Sequence, residues 1–179
     1  MSWDERFKRG EHTDRIPMAF LVELAERLDR PGKALDLACG AGRHAVLFAE
    51  RSWDVTAVDS SEVALELLQG REPRVRTVAA DLEKGFFDLG SAEWDLVIVT
   101  LYLQRNLFER IRRAVKPGGR VAMAIPLVDP REGVKPMNPD YLLQGGELAA
   151  EFPGWSIEHE RETNPDPPSR QIGELVAVR

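Results

Sequence analysis

Apolar positions along the chain alternate between two habits: short near-continuous runs, and stretches where they recur every third or fourth residue. Residues 14–28 have the second habit. Phe20, Leu21, Leu24 and Leu28 share one face, Asp14 is placed to cap the start, and Pro17 falls in the first turn, which predicts a helix closed by Pro31-Gly32. Residues 33–38 then form a first strand, and helical spacing resumes through Val46, Leu47, Phe48 and Ala49. Residues 54–58 form a second strand ending at Asp59. Ser60 or Ser61 can cap the helix over 62–69, which Gly70 closes. A third strand over 75–79 runs into Ala80-Asp81-Leu82, and residues 84–93 read as a loop with Phe86-Phe87 as its hydrophobic anchor.

Residues 94–100 are apolar almost throughout, the pattern of a central strand covered on both faces. A helix follows over 106–115, Lys116-Pro117-Gly118-Gly119 terminates it, and 120–125 is the fifth strand. Residues 126–139 form a proline-studded loop without periodicity, and loops of that length in compact domains are often functional. A short helix over 146–152 precedes two alternating segments, 155–162 and 171–178, which read as antiparallel edge strands joined by a turn-rich stretch from Asn164 to Ser169. Repeated β-α units closed by a hairpin predict a single domain over 1–179 with a doubly wound α/β sheet and an antiparallel edge. Residues 1–13 are polar apart from Trp3 and Phe7. Large aromatics require packing, so the segment is expected to dock on the core, as a lid if a ligand pocket lies beneath.

The tightest turn holds the candidate chemistry. Asp36 ends the first strand four residues before Gly40, and Gly42 follows. Glycines there permit a tight turn and a ligand against bare backbone. An acid in that place repels a pyrophosphate and suits an ammonium or sulfonium. Asp59, 19 residues past Gly40, ends the second strand, where a carboxylate can accept hydrogen bonds from a ribose diol. Asp81 ends the third strand, so three acids fall on the strand ends where such sheets bind ligands. Gly40-x-Gly42-x-x-Ala45 also fits the dinucleotide fingerprint, which keeps an NAD(P)-binding oxidoreductase open as an alternative.

Composition narrows the classes. Of 179 residues 43% are hydrophobic and 30% charged, as in a soluble globular protein, and the net charge of −6 argues against a broad nucleic-acid-binding face. The single cysteine, Cys39, excludes an intramolecular disulfide and a Cys-based zinc site, and no metal is expected. No apolar run approaches the roughly 20 residues of a membrane span, and the start of the chain lacks the order of a signal peptide, so the expected compartment is the cytoplasm. His44 reads as structural and His159 as solvated, while His12, in the lid segment, is the histidine placed to act in catalysis.

Asp36 with Gly40 and Gly42 resembles motif I of the class I S-adenosylmethionine (AdoMet) dependent methyltransferases, although Ala38 stands where many members have glycine. The stretch from Val99 through Tyr102, Gln104, Arg105, Leu107 and Phe108 to Lys116-Pro117-Gly118-Gly119 resembles the small bacterial methyltransferases related to the tellurite-resistance group. So do Asn138-Pro139 with Tyr141, and Phe152-Pro153-Gly154-Trp155. The resemblance implies seven strands in the order 3-2-1-4-5-7-6 with the seventh antiparallel. It also implies AdoMet bound by Asp36, Ala38, Gly40, Gly42, Asp59, Ser60, Asp81, Leu82 and Thr100, with Asp81 reading the adenine amino group.

Methyl transfer to a small-molecule acceptor by direct displacement follows, in a monomer or homodimer. A non-catalytic AdoMet-binding protein is the other alternative. Tyr102, Gln104 and Arg105 are expected to border the methyl-transfer position at the carboxyl edge, with Arg105 able to hold an anionic acceptor by paired hydrogen bonds. Gln104 stands where the group commonly has histidine. An amide orients a substrate but accepts no proton near neutral pH.

Overall fold

A computed structural model describes residues 2–179. Seven strands form one sheet in the order β3-β2-β1-β4-β5-β7-β6, the order that the resemblance implied. The chain gathers into two units, one holding the residues up to Asp88 with Trp94–Ile98, the other holding Leu89–Glu93 and Val99–Arg179.

In the first unit, β1 (Lys33–Leu37), β2 (Asp54–Asp59) and β3 (Arg76–Ala79) run parallel. Asp36 pairs with Ala57, and Asp59 with Ala79. Parallel strands covered on both faces need apolar side chains throughout, and Leu35, Leu37, Val55, Ala57 and Val58 are all buried. Four helices accompany them: α1 (Trp3–Lys8), α2 (Ala19–Arg27), α3 (Arg43–Ala49) and α4 (Glu62–Arg71).

Two helices differ from the sequence expectation at their starts. Residues 1–13 contain α1, begun by a capping box in which the Ser2 hydroxyl accepts from the Glu5 amide and the Glu5 carboxylate accepts from the Ser2 amide, at 3.2 and 2.8 Å. The helix expected from Asp14 begins only at Ala19. Pro17 disfavours helical angles at Ile16, and Met18 is extended, so Asp14 instead accepts from the Ile16 amide in a local turn. In the loop after β3, Leu82 and Leu89 are the buried anchors, whereas Phe86 is 72% exposed, a correction to the expected Phe86-Phe87 anchor. Gly70 is spanned by α4 and does not end it.

β4 (Trp94–Thr100) contributes residues to both units. In the second, α5 (Leu107–Ala114) follows Asn106, and β5 (Val115–Pro126) begins earlier than expected. Lys116 to Gly119 belong to the strand, because the Gly118 amide donates to the Arg179 carbonyl and the Arg179 amide to Gly119. A 3-10 turn (Pro139–Tyr141) and α6 (Glu147–Ala150) lead to β6 (Ser156–Glu162) and β7 (Ile172–Val178). β7 is antiparallel to both β5 and β6. The aromatic core of this unit stacks edge to face, Phe108 on Phe152 at 6.0 Å and Phe152 on Trp155 at 5.2 Å. β6 is an exposed edge strand carrying Glu158, Glu160, Arg161 and Glu162, charges that discourage pairing with another sheet.

Candidate functional site

At the end of β1, Asp36 is 1% exposed, and neither carboxylate oxygen has a hydrogen-bond partner among the described residues. Burial pushes its carboxyl up to about 7. The Ala45 amide pulls it down without closing a hydrogen bond, Asp59 pushes it further up, and Arg43 opposes that. A buried acceptor left without a donor costs about 1–3 kcal/mol. A cationic group placed against Asp36 would recover that cost and hold the carboxylate ionised.

The turn that follows is built for close approach. Ala38, Gly40 and Gly42 have φ of +52°, +54° and +76°. A Cβ on Gly42 would run into Leu68 of α4, and one on Gly40 would lie 3.3 Å from the Phe7 ring, so each glycine is fixed by a neighbour as well as by its backbone. Ala38 pays the strain of the left-handed region with a Cβ, about 1–2 kcal/mol, and such strain collects at functional sites. The Cys39 thiol is held well above its usual range by burial and by Asp36 and Asp59, as befits a packed residue and not a nucleophile.

Asp59 braces this turn. Its carboxylate accepts from the Gly40 amide and from the Ser61 amide, each at 2.8 Å. Burial raises its carboxyl, the amides of Ser61, Gly40 and Ser60 oppose the shift, and Asp4 adds to it. Ser61, not the exposed Ser60, caps α4: its hydroxyl accepts from the Ala64 amide at 3.1 Å and donates to the Asp4 carboxylate at 2.5 Å. Asp81 is engaged in its own turn, accepting from the Glu83 amide at 3.0 Å and pairing with Lys84 at 2.9 Å, which lowers its carboxyl. Leu82 beside it is buried.

The N-terminal segment lies on the same turn. Phe7 packs with Ala41, Ala64 and Val63, while Trp3 stays 51% exposed with His12 edge-on at 5.4 Å. Further along, Asp14 pairs with Arg43 at 3.4 Å, and the Met18 amide donates to His44 Nε2 at 3.3 Å. Burial lowers the His44 imidazole to about 3, so it is a neutral acceptor. Asp4 and Phe7 belong with the site, and the Ser2-x-x-Glu5 capping box was the sequence signal for their helix.

In the second unit, β4 ends at Thr100, and Leu101 follows with φ of +58° and its amide on the Ala124 carbonyl. The Tyr102 hydroxyl donates to Gln104 Oε1 at 2.6 Å, and Gln104 Nε2 donates to Asn106 Oδ1 at 2.6 Å, a neutral chain along one loop. Arg105 reaches α6 and the turn before it. Nε and Nη2 donate to Glu147 Oε1 at 3.2 and 3.0 Å, Nη1 to the Asp140 carbonyl, and Nη2 to that of Leu142. His159, expected to be solvated, lies 3.1 Å from the buried Glu174, which also pairs with Arg161. Among the described residues no group of three or more His, Cys, Asp or Glu could hold a metal ion.

The buried, partnerless Asp36 ahead of a bare glycine turn fits a ligand that presents a cation close to backbone, as AdoMet does with its ammonium and sulfonium. A family model described as a methyltransferase domain matches residues 34–119, from β1 into β5. The trans-aconitate 2-methyltransferase of Sinorhizobium medicae (strain WSM419) is 35% identical over 132 residues, covering 70% of this chain and 51% of that protein. The chain spans about half the length of the curated relatives it matches, between 41% and 51%.

Among solved structures, TehB from Haemophilus influenzae superposes with a TM-score of 0.77 at 18% identity, over 98% of this chain and 67% of that one. The Burkholderia thailandensis 1,6-didemethyltoxoflavin-N1-methyltransferase, solved with bound 1,6-didemethyltoxoflavin and S-adenosylhomocysteine, superposes at 0.73 with 22% identity, over 98% and 84%. At these identities the likeness is one of fold. The family match over residues 34–119 is to a methyltransferase domain, and the fold is shared with these solved structures. The match over residues 34–119 and the relatives named as methyltransferases make the class I AdoMet-dependent methyltransferases the family that this chain resembles.

Proposed function

We propose that the chain binds AdoMet and catalyses transfer of its methyl group to a small-molecule acceptor. The observation that carries this reading is Asp36, buried and without a partner, ahead of Gly40 and Gly42. Asp36 receives the cationic end of the cofactor, and the turn from Ala38 to Gly42 lies against it. Asp59, whose carboxylate already accepts two amides, offers its remaining lone pairs to the ribose diol. Ser60, Asp81, Leu82 and Thr100 complete the assigned contacts. Phe7 and Asp4 close residues 1–13 over the turn as a lid that excludes water.

AdoMet supplies a methyl already activated by sulfonium, which passes to an acceptor lone pair while the C–S electrons return to sulfur. The protein's share is then to position and to exclude water, and no strong base is needed. Tyr102 and Gln104 orient the acceptor through their hydroxyl and amide, and neither removes a proton near neutrality. Arg105 holds the loop at Asp140–Leu142 in place. A net charge of −6 supports a small molecule over a nucleic acid as substrate. Among the described residues no helix is long and apolar enough to cross a membrane. A cytoplasmic monomer or homodimer is the assembly we assign.

Titration calorimetry with AdoMet, S-adenosylhomocysteine, NAD and NADP tests the cofactor, with binding of the first two alone expected. A labelled-methyl transfer assay with small-molecule extracts tests turnover. Tight NAD binding, or AdoMet binding without any transfer, overturns the reading in favour of an oxidoreductase or a non-catalytic binder respectively.

A further inference from the structure

The proline-studded loop after β5 is the stretch that the sequence marks as functional. It lacks periodicity, yet the fold fastens it through arginines and one carboxylate. Asp129 is the hub. It stands just past the end of β5 at Pro126, and its side chain is fully buried although most of its neighbours in the loop are exposed. Both oxygens are occupied. Oδ1 accepts from the Arg131 amide at 3.2 Å and from Arg131 Nε at 2.8 Å, and Oδ2 accepts from Arg131 Nη2 at 2.6 Å and from the Gln171 amide at 2.9 Å. The bonds to Arg131 hold the Asp129 carboxyl far below the usual carboxylate range, against the opposing effect of desolvation.

Arg131 carries the link across to the connection between β6 and β7. Its Nη1 donates to Asn164 Oδ1 at 2.9 Å and to the Pro165 carbonyl at 2.7 Å. Arg170 returns from that connection, donating to the Leu127 and Lys135 carbonyls at 3.1 and 2.6 Å, and the Leu127 amide donates to the Gln171 carbonyl at 3.0 Å. The two connections also approach closely, because a Cβ on Gly133 would lie 3.3 Å from Pro167. The Val128 amide donates to the Leu143 carbonyl and the Leu143 amide to that of Pro126, at 2.9 and 3.1 Å, which closes the loop at its base. Arg105 then holds the Asp140 and Leu142 carbonyls. It belongs to the same turn as Tyr102 and Gln104, the residues assigned to orient the acceptor.

We propose that residues 126–143 form a prefolded wall of the acceptor site and that Asp129 is its positioning residue, a role that rests on the methyl-transfer reading above. The Asp129 side chain is buried, so it works through Arg131 and the Gln171 amide and touches neither cofactor nor acceptor. A wall whose backbone is already held spares the acceptor the entropy of ordering a loop, and binding does not wait on folding of this segment. Neutralising the carboxylate leaves the Arg131 guanidinium without its counter-charge and the Gln171 amide with a weaker acceptor, so both connections loosen together. Lysine does not replace Arg131, because the planar fork that meets both oxygens fixes the geometry.

The test uses the whole chain. Hydrogen exchange is followed by mass spectrometry over residues 126–143 and 163–171, first without ligand, then with saturating S-adenosylhomocysteine and a bacterial small-molecule extract. Slow exchange without ligand, changed by less than about twofold on the additions, is the expected result. Fast exchange without ligand, slowed by about tenfold or more on the additions, overturns the prefolded wall in favour of a loop that folds on its substrate. Labelled methyl from AdoMet is then transferred into dilutions of the same extract. Asp129→Asn and Arg131→Lys should each need about tenfold more extract for half-maximal rate, with AdoMet affinity by calorimetry unchanged. Arg170→Ala leaves the buried pair intact, is the milder variant should Asp129→Asn fail to fold, and should shift the curve in the same direction. Wild-type curves in Asp129→Asn, or in Arg170→Ala where the first does not fold, overturn the positioning role while leaving the methyl-transfer reading intact. AdoMet binding with no label from the wild type at any dilution overturns that reading and the positioning role with it, and the exchange measurement still decides whether the wall is prefolded.

Discussion

Asp59 and Gly40 are joined by a 2.8 Å hydrogen bond from the glycine amide to the carboxylate, which ties the end of β2 to the turn after β1. The second oxygen accepts from Ser61 at the same distance, so one side chain sets the backbone on both sides of the assigned ribose position. Asp59→Ala should therefore weaken AdoMet binding by about 1–3 kcal/mol and also lower the stability of the protein without cofactor, because two amides lose their acceptor. Asp59→Asn retains one acceptor oxygen and should fall between the two. Calorimetric affinity and urea midpoints for the three proteins check this; unchanged AdoMet affinity in Asp59→Ala would remove Asp59 from the cofactor site.

Asp36 gives the clearest pH dependence. Its folded carboxyl, raised to about 7 by burial, binds a proton more tightly than the unfolded one near 3.8. Between those values the folded state holds more protons, so this group's contribution to stability falls as pH rises from about 4 to about 7. A cationic cofactor favours the ionised form and reverses the trend, so the gain in thermal midpoint on adding AdoMet should grow as pH rises through 7. Asp59, Cys39 and Arg43 are the ionisable groups coupled to it, and none of them supplies a hydrogen bond. Asp36→Asn should flatten both trends. A cofactor-induced shift independent of pH in the wild type would separate Asp36 from the cation.

Ala38 tests the backbone of the turn. At φ of +52° a β-branched side chain is a genuine outlier, so Ala38→Val should destabilise the protein by about 1–3 kcal/mol. Ala38→Gly relieves the strain but frees the unfolded chain, two effects of about 1 kcal/mol each, and should sit near neutral. Chemical denaturation of both variants measures the difference. A Val variant as stable as wild type would show that the turn relaxes out of the left-handed region.

The sheet was legible because each buried strand is a short apolar run bounded by a breaker, and because the acids Asp36, Asp59 and Asp81 fall at or just past successive strand ends. The helix at the N-terminus was not, since six residues with a single buried side chain, Phe7, show no periodicity. Pro17 spoiled the early start assigned to α2 in a way that apolar spacing does not register. Arg105 shows the limit for the site. Its position beyond β4 could be read, but its partners Asp140, Leu142 and Glu147 lie 35 to 42 residues away, and only the folded chain brings them to the guanidinium.

Removing residues 1–13 probes the lid. The segment buries Phe7 against Ala41 and Ala64 and hydrogen-bonds Asp4 to Ser61, yet supplies no strand, so the truncated chain should fold with weaker AdoMet binding. Asp4→Ala, which spares Phe7, should show a smaller loss of affinity, of about 1 kcal/mol or less. Equal AdoMet affinity and turnover in the truncated and full chains would reduce the segment to a docked tail.

Gln104 is the sharpest probe of acceptor chemistry. It accepts from the Tyr102 hydroxyl and donates to Asn106, each at 2.6 Å, so it fixes the direction of a neutral hydrogen-bonding chain and cannot take a proton. The pH–rate profile should therefore lack a limb belonging to this position. Gln104→Ala should lower kcat with the acceptor while leaving AdoMet affinity within error, since the interactions lost are on the acceptor side. Tyr102→Phe, which removes the donor to Gln104, should act in the same direction and less than additively with it, because the two side chains form one chain. Gln104→His introduces a group that titrates near neutrality and should add a limb there if the acceptor proton is within its reach. Steady-state kinetics of the single and double variants across pH carry the test. Wild-type kinetics in Gln104→Ala and Tyr102→Phe alike would return both residues to loop packing and leave the acceptor to other side chains.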